Sequence, residues 1–83
     1  MKYCFITFRS VTPAQRGENV LRRAGIATTL QRTPRWMEQK GCGYSLRVSC
    51  DQILEGVQIL RANQVPFRKA YLQMDSNLEE MAL

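Results

Sequence analysis

Residues 44–60, Tyr44-Ser45-Leu46-Arg47-Val48-Ser49-Cys50-Asp51-Gln52-Ile53-Leu54-Glu55-Gly56-Val57-Gln58-Ile59-Leu60, change their hydrophobic period part-way along. Tyr44, Leu46 and Val48 alternate with Ser45, Arg47 and Ser49, which predicts a strand with one face buried. From Ile53 the apolar positions Ile53, Leu54, Val57 and Leu60 form a helical stripe. Ser49-Cys50-Asp51-Gln52 has capping-box spacing, and Asp51 suits the positive end of a helix dipole. A strand feeding directly into a helix is one β-α unit, and the flanking residues decide which fold it belongs to.

Towards the N-terminus, Tyr3–Phe8 (YCFITF) places Cys4, Ile6 and Phe8 on one face of a strand and Tyr3, Phe5 and Thr7 on the other. Thr12-Pro13-Ala14-Gln15 then predicts a helix start, with threonine as cap and proline at the first helical position. Gly17, Val20, Leu21 and Ala24 supply its buried stripe, and Gly25 its left-handed end. Ile26–Arg32 reads as a second, more exposed strand, and Thr33–Gly43, around Trp36 and Met37, as a long loop. Beyond the second helix, Asn63 and Pro66 stop it, and Phe67–Met74 predicts an edge strand carrying Arg68 and Lys69. The order β-α-β-β-α-β predicts an α+β, ferredoxin-like sandwich of four antiparallel strands with two helices on one face. On this reading the third strand starts at the end where the first strand starts and the helices finish.

Eighty-three residues suit one domain, expected over residues 1–74, with an acidic tail at 75–83 that is frayed or a short helix. A composition of 45% hydrophobic and 23% charged residues excludes a disordered or collagen-like chain. No apolar run approaches the ~20 residues of a membrane span, and no secretory leader is evident, so a cytoplasmic location is expected. Three cysteines, an odd number, then argue for reduced thiols. With no histidine and no closely spaced cysteine pair, neither a zinc site nor any other cofactor is expected. Up to Met74, twelve basic residues face four acidic ones, an excess that favours an anionic partner.

Gly41-Cys42-Gly43 closes the long loop just before the third strand. Two glycines leave the sulfur sterically open and let backbone N–H groups approach an anion held on it. Together with YCFITF, Leu21-Arg22-Arg23-Ala24-Gly25-Ile26, Gln31-Arg32-Thr33-Pro34-Arg35, Tyr44–Val48 and Val65-Pro66-Phe67, this Cys-Gly pair resembles the selenium/sulfur carrier protein-like family over about residues 3 to 72. The Cys-Gly pair is the distinctive part; Gly41 and the bulk of Trp36 and Met37 depart from the family's pattern. The resemblance implies that Cys42 holds sulfur or selenium and exchanges it with donor and acceptor proteins of desulfurase or lyase type. Such a chain is a carrier, without turnover of its own. Helix C-termini at that end would raise the thiol pKa, so activation falls to Arg32, Arg35, Lys40 and the N–H groups of Gly41 and Gly43.

The other thiols compete. Cys50, at a helix start, has the better electrostatic setting for a thiolate, whereas Cys4 shares a face with Ile6 and Phe8 and reads as core. Cys42 and Cys50 are separated by roughly 25 Å of extended chain, which excludes a resolving pair between them. Two rival functions remain. Lys40-Gly41-Cys42-Gly43-Tyr44 partly matches the third-strand signature of an RNA-recognition motif, with Phe5, Tyr44, Lys40 and Arg47 as the nucleic-acid surface. Alternatively Tyr3, Phe5 and Tyr71, exposed on the open sheet face, would serve a homodimeric interaction module. The glycine spacing matches no nucleotide-binding loop, and without histidine a nucleophile lacks its usual base.

Overall fold

The alternations in Tyr3–Phe8 (β1) and Tyr44–Ser49 (β3) become the two central strands of one antiparallel sheet. The computed structural model describes residues 3–33, 43–74 and 77–80. Around those strands lie α1 (Val11–Arg23), β2 (Thr28–Arg32), a single 3-10 turn (Cys50–Gln52), α2 (Ile53–Ala62), β4 (Ala70–Met74) and β5 (Asn77–Glu80). The spatial order is β2-β3-β1-β4-β5.

Two expectations about the sheet are corrected first. The sheet has five strands rather than four, because Asn77–Glu80 in the acidic tail pairs along the edge of β4, with Tyr71 opposite Glu80 and Met74 opposite Asn77. Lys69, just ahead of β4, holds Glu80 at 3.0 Å. The hydrogen bond to Glu80, followed by its charge, raises the Lys69 pKa above 10.5. A raised lysine pKa adds stability below the unfolded value, lost as pH climbs through the folded one, and water screens this exposed pair strongly.

The second correction concerns direction. Tyr3 opposes Ser49 and Phe8 opposes Tyr44, so β3 starts where β1 ends. Adjacent antiparallel strands begin at opposite ends of a sheet, and the sequence reading placed these two at the same end. The Gly43 end of the sheet therefore carries the N-terminus of α1 together with the C-terminus of α2. The two helix dipoles oppose one another there, where the sequence reading had placed two helix C-termini.

Cys4, Ile6 and Phe8 of β1 and Leu46 and Val48 of β3 form the buried core with Ala14 and Leu21 of α1 and Ile53, Val57 and Leu60 of α2. Gly17 brings the layers together: a Cβ there would sit 3.1 Å from Phe8 and 3.2 Å from both Leu46 and Leu60. Leu54, expected in the buried stripe, is instead 64% exposed, since it stands about 100° around the helix from Ile53. The N-cap of α1 is Ser10, in extended conformation, rather than Thr12. Pro13 then falls in the first turn, where its missing N–H breaks no helical bond. At α2, the 3-10 turn replaces the expected capping box, and the Ser49 side chain makes no capping hydrogen bond.

Both helices end in the same six-residue device. After α1, the N–H of Gly25 reaches the carbonyl of Arg22 (3.0 Å) and that of Ile26 the carbonyl of Leu21 (2.9 Å). After α2, Gln64 reaches Arg61 (3.1 Å) and Val65 reaches Leu60 (2.9 Å). These are Schellman caps, whose penultimate residue is left-handed. Gly25 meets that demand at φ 84°, while Gln64 does so at φ 56° with a side chain attached. Gln64→Gly is therefore expected to stabilise the protein by up to about 1 kcal/mol, read as a higher urea midpoint with unchanged slope.

Candidate functional site

The end of the sheet at Gly43 is assembled from four strands. Thr33, just past β2, donates its N–H to the Gly43 carbonyl (2.9 Å), which holds the residue bonded to Cys42 against the sheet. On the other side of β3, Thr7 of β1 exchanges backbone hydrogen bonds with the stretch before β4, its N–H reaching Lys69 (2.8 Å) and its carbonyl accepting from Arg68 (2.7 Å). The Thr7 hydroxyl also donates to the Lys69 carbonyl at 3.2 Å. Backbone pairing thus extends beyond the last regular residues of these strands.

Arg9 follows Phe8, the partner of Tyr44, and Arg32 is the partner of Tyr44 on the opposite side. With Arg68, three exposed arginines from separate segments stand at the end where β3 begins. Of these, sequence reading singled out Arg32; Arg9 and Arg68 become neighbours of the site only once β1 and β3 are registered antiparallel. A cleft of about 360 Å³ lies between Arg9, Ser10, Pro13, Pro66, Phe67 and Arg68. Buried within the same end, the hydroxyls of Thr33 and Ser45 have no hydrogen-bond partner. Cys42 itself, with Gly41, Arg35 and Lys40, lies outside the described residues; Gly43 and Arg32 are the expected site residues the structure places.

The family model for proteins described as "Putative Se/S carrier protein-like" matches residues 3–72, from the first residue of β1 into β4. The chain belongs to this family. No curated protein and no solved structure matches it. In the family member described here, the match takes in the Cys42-Gly43 junction and the strands that flank it.

At the opposite end of the sheet Cys4 and Cys50 form a disulfide, with Cα atoms 5.1 Å apart. This corrects the expectation of three reduced thiols. Counting cysteines could not find it, because the pairing depends on β1 and β3 being neighbours and on the chain turning back over β1 straight after Ser49. Cys50 is thereby joined to a partner instead of standing as an independent thiolate.

The aromatics expected on the open face are only partly available. Phe5 is 5% exposed and Tyr71 half-buried, which leaves Tyr3 as the exposed ring, with the Arg47 guanidinium 4.7 Å from its centre. A base-stacking platform needs open rings, and Phe5 does not offer one. Among the described residues no helix is long and apolar enough to cross a membrane, and no group of three potential metal ligands stands together.

Proposed function

We propose that this protein carries sulfur or selenium on the Cys42 thiol and passes it between donor and acceptor proteins. The observation that carries this reading is the pairing of Cys4 with Cys50, which leaves Cys42 as the one of the three cysteines outside that disulfide. Family membership and the Cys-Gly junction at the head of β3 support the same residue. Loading proceeds by attack of the Cys42 thiolate on the outer sulfur of a donor persulfide. The new S–S bond forms as the donor's breaks, and the donor thiolate leaves.

The arginines serve this step by favouring the anionic form of the thiol and of the loaded atom. Arg32 was expected in that role, with Arg35 and Lys40; Arg9 and Arg68 join it from the segments that follow β1 and precede β4. The fold reads as the ferredoxin-like β-α-β-β-α-β arrangement with β5 added beside β4, and desulfurase- or lyase-type donors fit a carrier. Burial of Phe5 weighs against RNA binding, which would need that ring free.

The decisive measurement is the intact mass of reduced protein incubated with a cysteine desulfurase and cysteine, or with selenite and excess thiol. A gain of one sulfur or one selenium atom is expected in the wild type and in Cys50→Ser, and is expected to vanish in Cys42→Ser. An adduct that survives in Cys42→Ser, or no adduct on the wild type, overturns the proposal.

A further inference from the structure

The two sulfurs of the disulfide differ in access. Cys4 is fully buried on the core face of β1, whereas Cys50 is half-buried at the first residue of the 3-10 turn. An external reactant can meet Cys50 and cannot meet Cys4. Their Cα separation of 5.1 Å lies within the span that a disulfide requires, so Cys4 reaches Cys50 with the backbone as it stands. Gly43 stands at the far end of β3, about 20 Å away along a six-residue strand. The pair is therefore a sulfur centre separate from the Gly43 end of the sheet.

We infer that this centre reduces persulfides, with Cys50 as acceptor and Cys4 as the resolving thiol. In the first step the Cys50 thiolate attacks the outer sulfur of a small persulfide, R–S–SH. The donor's S–S bond breaks, R–S⁻ leaves and takes up the proton lost from Cys50, and Cys50 carries –S–SH. In the second step Cys4, giving up its proton, attacks the Cys50 Sγ. The bond from that Sγ to the terminal sulfur breaks, and hydrosulfide leaves with the proton. The terminal sulfur gains two electrons and the two cysteines lose them, producing the disulfide present in the structure. A dithiol reductant returns the pair to its starting state. Access dictates the order of attack, since the reverse assignment would require the donor to enter the core.

The test uses Cys42→Ser protein, so its outcome is independent of the carrier reading. The protein is reduced with a dithiol, desalted, and mixed with glutathione persulfide. Intact mass and hydrosulfide release are followed against a protein-free blank. The expected result is one hydrosulfide per chain and the loss of two hydrogens in mass. Adding Cys4→Ala, or Cys4→Val to refill the core, is expected to leave one extra sulfur on Cys50 and to slow hydrosulfide release at least tenfold. Adding Cys50→Ala is expected to abolish both events, with circular dichroism confirming a native fold in each variant. The inference is overturned if the Cys4 variants release hydrosulfide as fast as the parent. It is also overturned if the Cys50 variant still accepts sulfur, or if the parent keeps the extra atom without closing the disulfide.

Discussion

Phe8→Ala is expected to lower the unfolding free energy by about 3–5 kcal/mol, a large part of the roughly 4–12 kcal/mol that a chain of this size possesses. Phe8 is fully buried, and its ring ends 3.1 Å from where a Cβ on Gly17 would be. Glycine on α1 and phenylalanine on β1 are thus complementary halves of one contact, and truncating the ring leaves a void that Leu46 and Leu60 fill only in part. A urea titration reads the loss as a lower midpoint at unchanged slope. The same contact predicts a change of sign in a second variant. In the wild type, Gly17→Ala crowds three core side chains; in the Phe8→Ala background the nearest of them is gone, and alanine's helix preference is expected to restore about 1 kcal/mol. A loss below about 1 kcal/mol for Phe8→Ala would show that this ring does not organise the core.

Opening the Cys4–Cys50 bond is the other change of comparable size. The bond closes a loop over 46 positions of sequence, for which chain entropy alone gives about 4 kcal/mol of stabilisation. Unfolding of Cys42→Ser protein in urea, with and without a dithiol, isolates this bond from the remaining thiol. The reduced protein is expected to remain folded but with its midpoint lowered in proportion. If the two curves superimpose, the disulfide contributes nothing beyond its neighbours' packing.

Much of the architecture was legible because local signals agreed with one another. Period-two alternation marked β1 and β3, period-3.6 stripes marked both helices, and Gly25 marked the end of α1. β5 was not legible: Asn77-Leu78-Glu79-Glu80 has little strand preference, and it forms because β4 offers an unpaired edge and Lys69 offers Glu80 a charge partner. The Cys4–Cys50 bond and the approach of Arg9 and Arg68 to the Gly43 end escaped for a common reason. They are juxtapositions across β1 and β3, and a sequence shows alternation within a strand without showing which residue stands opposite which. The Cys42-Gly43 pair, by contrast, is visible as a sequence motif, since two adjacent residues can be read without knowing the fold.

The strand order has a consequence for how the chain is born. β1 is made first and lies near the centre of the sheet, between β3 and β4. Its two hydrogen-bonding edges stay vacant until partners from the second half leave the ribosome, an interval of several seconds at about 5–20 residues per second. Throughout that interval Tyr3–Phe8, an apolar segment rich in aromatic side chains, is free to pair with the wrong chain. Nascent copies on neighbouring ribosomes are thus expected to depend on chaperone cover for this segment, and crowded overexpression to send the protein into inclusion bodies more readily than its small size suggests.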